Sequence, residues 1–187
     1  MTLCAYKLLT QITPLILLMI GTNLYAEPIP TRYEEIARKH NIPAGILYAV
    51  ALTESGKAIA PGLFRPWPWT LNVAGKPKRY ATRKETWRAI RHFMKQGIQS
   101  IDIGLMQVNW RWNKHRLGST WIALDPGFNV STGAKILRDE YKKQGNWLSA
   151  IGSYHSPGKS KAQKQRALKY TRRVITHLTK LIGYNYE

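Results

Sequence analysis

Between Pro43 and Ser55 the chain runs Ala-Gly-Ile-Leu-Tyr-Ala-Val-Ala-Leu-Thr-Glu-Ser, a stretch in which Glu54 is the one charged residue. Proline is tolerated in the first turn of a helix, and Ile46, Leu47, Val50 and Ala51 recur at helical spacing. The segment therefore predicts a buried helix from Pro43 to Ser55, ended by Gly56, around which the rest of the chain has to be packed. The acid in its last turn is poorly solvated. Desolvation penalises the charged form and raises the pKa, as a general acid working near neutral pH requires. A Glu at a helix end more often faces water or pairs with a Lys or Arg, so Glu54 alone is a candidate and nothing more.

The remaining elements read as mainly helical. Thr31 with Glu34 three residues on has the form of a capping box and predicts a first helix to Asn41. Thr82 with Glu85 predicts another through Trp87, Ile90 and Phe93 that stops at Gly97. Further helices are expected over Gly104 to Trp112, Pro126 to Gln144, Trp147 to Ser153 and Lys161 to Leu181, the last strongly basic. Pro66, Pro68, Gly75 and Pro77 exclude a long helix from Pro61 to Tyr80, which suits a short β-hairpin or extended insertion and is the only sheet expected. At 187 residues the chain is short for two domains. The expectation is one mainly α domain over 27–187.

The N-terminus sets the compartment. Lys7, an apolar run from Ile12 to Ile20 and the small residue Ala26 before Glu27-Pro28 have the form of a signal peptide over 1–26, with an uncleaved anchor as the alternative. Cys4 is the only cysteine, so cleavage leaves no disulfide framework, zinc cluster or thiol nucleophile. The chain carries 29 Lys plus Arg against 10 Asp plus Glu, a formal charge of +19 that falls to +18 without Lys7. Such a field favours a polyanionic partner. Charge alone does not choose among nucleic acid, anionic lipid and acidic envelope polymers, and a merely solvated basic surface gives the same numbers.

Three distant blocks change the standing of Glu54. They are Gly104-Leu105-Met106-Gln107-Val108-Asn109, Asn129-Val-Ser-Thr-Gly133-Ala-Lys-Ile-Leu137 and Ser153-Tyr154-His155-Ser-Pro157-Gly158. Together with Glu54-Ser55, and in this order, they resemble the blocks of the soluble lytic transglycosylase family, which is related to goose-type lysozyme. The resemblance spans about Ile36 to Tyr154 and implies an α+β lysozyme-like fold. It implies that Glu54 is the catalytic acid, that Ser55 orients the acetamido group of the sugar, that Gly104, Leu105, Met106 and Gln107 line the glycan groove, and that Tyr154 stands near the acid. Asn109, closing the same block, joins the substrate-binding set. Ser153 stands where the family has alanine and His155 where it has asparagine, which leaves the role of His155 open. The long insertion with Trp67, Trp69 and Trp87 resembles the branch associated with secretion systems, conjugation and pilus assembly.

Glycosidases commonly use two carboxylates, about 5 Å apart for retention and roughly 6.5 to 9.5 Å for inversion. This chain offers one well-placed acid. The resemblance implies that one suffices: Glu54 protonates the glycosidic oxygen, then as carboxylate takes the proton of the C6 hydroxyl as that oxygen attacks C1, leaving a 1,6-anhydromuramic acid end. Asp102 is the candidate second carboxylate, and with it the enzyme would be a hydrolytic muramidase. An Asp just before a Gly and a helix also serves as an N-cap or an Arg partner. A non-catalytic peptidoglycan-binding assembly module is a further alternative, and nucleic-acid binding through Lys159 to Arg173, with Tyr154 and Tyr170 stacking on bases, is the reading the export signal disfavours. Trp87 and Trp147 are expected in the core, while Trp67, Trp69, Trp110 and Trp112 are open between core and sugar stacking, Trp110 being nearest the Gln107 block. No metal and no organic cofactor is expected. The expected setting is the periplasm of a Gram-negative bacterium, the expected partners peptidoglycan strands and components of an envelope apparatus, and the expected state a monomer.

Overall fold

The computed structural model describes residues 28–183. The signal-peptide reading over 1–26 lies outside the described residues. Among the described residues eight helices and six strands follow one another: α1 (Thr31–Lys39), α2 (Ala44–Ser55), β1 (Gly56–Ala60), β2 (Leu63–Pro66), β3 (Thr70–Val73), β4 (Lys76–Arg79), α3 (Arg83–Lys95), β5 (Ile101–Ile103), β6 (Val108–Asn109), α4 (Trp110–Leu117), α5 (Thr120–Ala123), α6 (Pro126–Gln144), α7 (Trp147–His155) and α8 (Lys161–Leu181). The fold is mainly α with small antiparallel sheets, as the sequence predicts.

Helix α2 is buried almost all round, from Ile46 through Thr53 and again at Ser55, which is why its sequence shows so little polarity. It packs against α1, α8 and the first hairpin. Two glycines allow that closeness: a Cβ on Gly45 would lie 2.9 Å from Leu178 of α8, and one on Gly56 would run into the Phe64 ring and the Leu52 carbonyl. Gly56 thus ends the helix by turning the chain straight into β1, which pairs antiparallel with β2.

The sheet content is larger than expected. Strands β4, β3, β5 and β6 form a second, four-stranded antiparallel sheet in that order. The helix expected over Gly104 to Trp112 is instead a tight hairpin followed by α4. Gly104 has φ 78° and Gln107 φ 44°, left-handed values that a helix does not admit. The alternation of Ile101, Asp102 and Ile103 is a strand period, both isoleucines fully buried. The expected Thr31 capping box is absent as well: Pro30 is the N-cap, no side chain caps the helix, and Thr31 is already inside it. The Thr82–Glu85 reading holds, with the Glu85 amide donating to the Thr82 hydroxyl and Glu85 accepting from the Ala81 amide. Helix α7 runs two residues past the predicted Ser153 and so carries Tyr154 and His155.

The hairpin is fixed to the helices by Asn129 of α6, a buried side chain. Its amide donates to the Ile103 and Ala123 carbonyls at 2.9 and 3.0 Å, and its carbonyl oxygen accepts the Met106 N–H at 2.9 Å. Asn129→Leu keeps the branched shape of the side chain but removes its polar atoms, leaving these three backbone groups without their partner. It is expected to lower unfolding stability by about 3 kcal/mol, read as a lower urea midpoint at unchanged m-value.

Candidate active site

An open cleft of about 860 Å³ lies between the four-stranded sheet on one side and α2, α4, α6, α7 and α8 on the other. Glu54 reaches it from the last turn of α2. Its Oε1 accepts a hydrogen bond of 2.7 Å from the Tyr170 hydroxyl, and Tyr170 is itself 2% exposed within α8. Burial pushes the Glu54 pKa up to about 7, helped by the nearby Asp102 charge and opposed by the Tyr170 hydrogen bond and the Arg173 guanidinium. Arg173, one turn after Tyr170, also lines the cleft and donates to the Thr53 carbonyl at 3.2 Å. The site therefore holds a carboxyl that carries its proton near neutrality and has a hydroxyl donor ready for its ionised form.

Asp102 faces the same cleft from the middle of β5. Its cross-strand partners are Asn72 on β3 and Asn109 on β6, and residues directly opposite point to one face, so the three side chains form a polar row across the sheet. The Asn109 amide donates to Asp102 Oδ1 at 2.7 Å. Burial raises the Asp102 pKa, against the hydrogen bonds from Asn109 and Asn72, which favour the charged form. Among the described residues Asp102 neither caps a helix nor pairs with an Arg. It stands in a strand with an amide on each side.

The other sequence-predicted residues divide into wall and support. Gln107 and Asn109 line the cleft, and the Gln107 amide donates to the Thr70 and Gly104 carbonyls. Gly104, Leu105 and Met106 are buried beneath it. Ser55 is fully buried, and its hydroxyl donates at 2.8 Å to the Leu105 carbonyl. Tyr154 lines the cleft, but its hydroxyl donates to the Met106 carbonyl at 2.7 Å. Ser55, Asn129 and Tyr154 thus grip three successive parts of the Gly104 to Gln107 turn. Gly133 gives Met106 room: a Cβ there would lie 2.5 Å from the Met106 Cβ.

Among the tryptophans, Trp112 alone combines a place in the cleft with exposure, at 70%. Trp110 packs against the core instead, as do Trp69, Trp87 and Trp147. The Trp67 indole N–H donates to the Tyr80 carbonyl beneath the Lys57 ammonium. Of the two tyrosines proposed for base stacking, Tyr170 is buried against Glu54, and Tyr154 is half-buried with its hydroxyl bound to the Met106 carbonyl. The His155 ring lies parallel to the Tyr170 ring, centroids 4.4 Å apart. Among the described residues no group of three or more His, Cys, Asp or Glu is placed to hold a metal ion, and no helix is long and apolar enough to cross a membrane.

Sequence reasoning missed Tyr170, Arg173 and Asn72 as members of the site. The first two sit in a helix whose basic character reads as a solvated face. The signal available was the apolar spacing of Tyr170 and Val174, both buried, on that helix.

The ionisation of Glu54 is a stability statement. The folded carboxyl keeps its proton to about pH 7 while the unfolded one releases it near 4.5, so the folded state binds more protons between these values and stability falls as pH rises through them. Glu54→Gln cannot ionise. It is expected to melt close to wild type at pH 4 and to be more stable at pH 8 by on the order of 2 kcal/mol.

A family model described as a transglycosylase SLT domain matches residues 70–177, more than half of the chain. The matched span contains Asp102, the Gly104 to Asn109 hairpin, Tyr154, Tyr170 and Arg173, and begins after Glu54, whose assignment rests on the geometry above. No curated protein and no solved structure matches the chain.

Proposed function

The chain belongs to the transglycosylase SLT domain family, and on that premise we propose that it is a peptidoglycan lytic transglycosylase in which Glu54 is the acid and then the base. The observation that carries this reading is the carboxyl raised to about pH 7 in a cleft large enough for several sugar rings, with the Tyr170 hydroxyl on its Oε1. Protonated Glu54 gives its proton to the glycosidic oxygen between MurNAc and GlcNAc, and that bond breaks. The carboxylate so formed is stabilised by the Tyr170 hydrogen bond. It then accepts the C6 hydroxyl proton as the C6 oxygen bonds to C1, closing the 1,6-anhydro ring and returning Glu54 to its starting state. No water is consumed. Gln107, Asn109, Tyr154 and Trp112 on the cleft wall are the groups proposed to hold the strand, with Ser55, Gly104, Leu105 and Met106 supporting that wall from below.

Peptidoglycan lies outside the cytoplasm, which agrees with the export signal read over 1–26. We further propose, from the resemblance of the Trp67 to Trp87 insertion to the apparatus-associated branch, that the enzyme opens the wall locally for an envelope-spanning assembly.

One observation favours a second reading. The Asn72–Asp102–Asn109 row puts a supported carboxylate in the same cleft, and were it to activate a water at C1 the product would be a hydrolysed reducing end. Digestion of purified peptidoglycan followed by mass spectrometry separates the two. The expected products are anhydro muropeptides, one water lighter than hydrolysed ones, and Glu54→Gln is expected to lower the rate at least about 100-fold. Hydrolysed ends that vanish in Asp102→Asn would replace the transglycosylase reading by the muramidase one, and an inactive wild type on clean sacculi would leave a binding module.

A further inference from the structure

Helix α7 ends at His155, and its imidazole is one half of a pair whose other half is the Tyr170 ring. The rings are 1° from parallel with centroids 4.4 Å apart. The Tyr170 side chain has a single polar atom, its hydroxyl, which donates to Glu54 at 2.7 Å. The His155 ring covers one face of Tyr170 and itself lines the cleft, as Glu54 does. From this geometry we propose that His155 is a positioning residue: its ring is the plate that holds Tyr170 flat, and so keeps the hydroxyl aimed at Glu54 while that carboxyl gives up and regains its proton. The proposal rests on the assignment of Glu54 as the acid.

Two further facts favour a plate over a proton carrier. Among the described residues neither ring nitrogen of His155 has a protein hydrogen-bond partner, so no side chain links it directly to the carboxyl. The charged groups around it are Arg166 and Arg173 of α8, with Glu54 of α2 beyond Tyr170. Burial and the two guanidinium groups hold the His155 pKa below its ordinary value, so the ring stacks in its neutral form near neutral pH. A neutral ring contributes area and flatness, properties that phenylalanine shares.

The test is a double-mutant cycle on soluble peptidoglycan strands, with kcat and KM followed across pH 5 to 9. His155→Ala is expected to lower kcat roughly 3- to 10-fold, the range one aromatic pair supports, with KM little changed. It is also expected to move the midpoint assigned to Glu54 upward, the direction of Tyr170→Phe, because both variants weaken the bond that favours the carboxylate. His155→Phe restores kcat and midpoint. The double variant His155→Ala with Tyr170→Phe is no slower than Tyr170→Phe alone. Three results would each overturn the proposal: an unchanged His155→Ala, a His155→Phe as poor as His155→Ala, or a double variant showing the product of both losses. A Glu54→Gln enzyme with wild-type rate would instead remove the premise, and is read separately.

Discussion

The rest of the structure is arranged around one carboxyl kept at the margin of the core. Glu54 belongs to a helix that is buried on nearly every side, and it lines the cleft. An ion in that place is penalised, so the group stays protonated to about pH 7. Such a group is useful only if its charged form, once made, is not trapped without a partner. Tyr170 supplies the hydroxyl and Arg173 the distant positive charge, both from α8, more than a hundred residues along the chain. The tight packing of α8 on α2, with Gly45 beneath Leu178, thus has a consequence at the other end of the helix pair, where the hydroxyl meets the carboxyl.

The Gly104 to Gln107 turn is the second fixed point. Its backbone is held by Ser55 from α2, Asn129 from α6 and Tyr154 from α7, each through a hydrogen bond of 2.9 Å or less. Those bonds join the helix that carries Glu54 to the sheet that carries Asp102, because the turn connects β5 to β6. The side chains of this block that are apolar, Leu105 and Met106, serve the core, whereas Gln107 with its left-handed backbone reaches the cleft. Most of this motif therefore belongs to the candidate site through its backbone, and only Gln107 and Asn109 through their side chains.

This division explains what was legible in the sequence. Helix α2, the limits of α6 and α8 and the Thr82 start of α3 follow from periodicity and caps, which are local. Glu54 stood out because its surroundings are apolar within a single helix turn. The turn from Gly104 reads as the start of a helix to Trp112 because the decisive features of the hairpin are two left-handed residues, and only one is a glycine. Tyr170 and the Asn72–Asp102 pairing were out of reach for another reason: a partner brought in from another helix or a neighbouring strand leaves no mark at its own position. Tyr170 sits among lysines and arginines that describe the outer face of α8, while its ring points inward to Glu54.

The two carboxyls of the cleft are unequal, and the inequality bears on the chemistry. Burial raises both carboxyls, but Asp102 receives amide donors from the strands on either side, which favour its charged form, whereas Glu54 has one hydroxyl and a deeper apolar setting. Environments that differ in this way separate an acid from an anion. The negative charge of Asp102 in turn raises the affinity of Glu54 for its proton. In the proposed reaction a carboxylate in the same cleft also stabilises the positive charge that develops at the sugar as the glycosidic bond breaks, since that transition state has oxocarbenium character. Both effects act through the field and need no water at C1. A second carboxylate in the cleft is thus compatible with intramolecular transfer, and its presence alone does not make the enzyme a hydrolase.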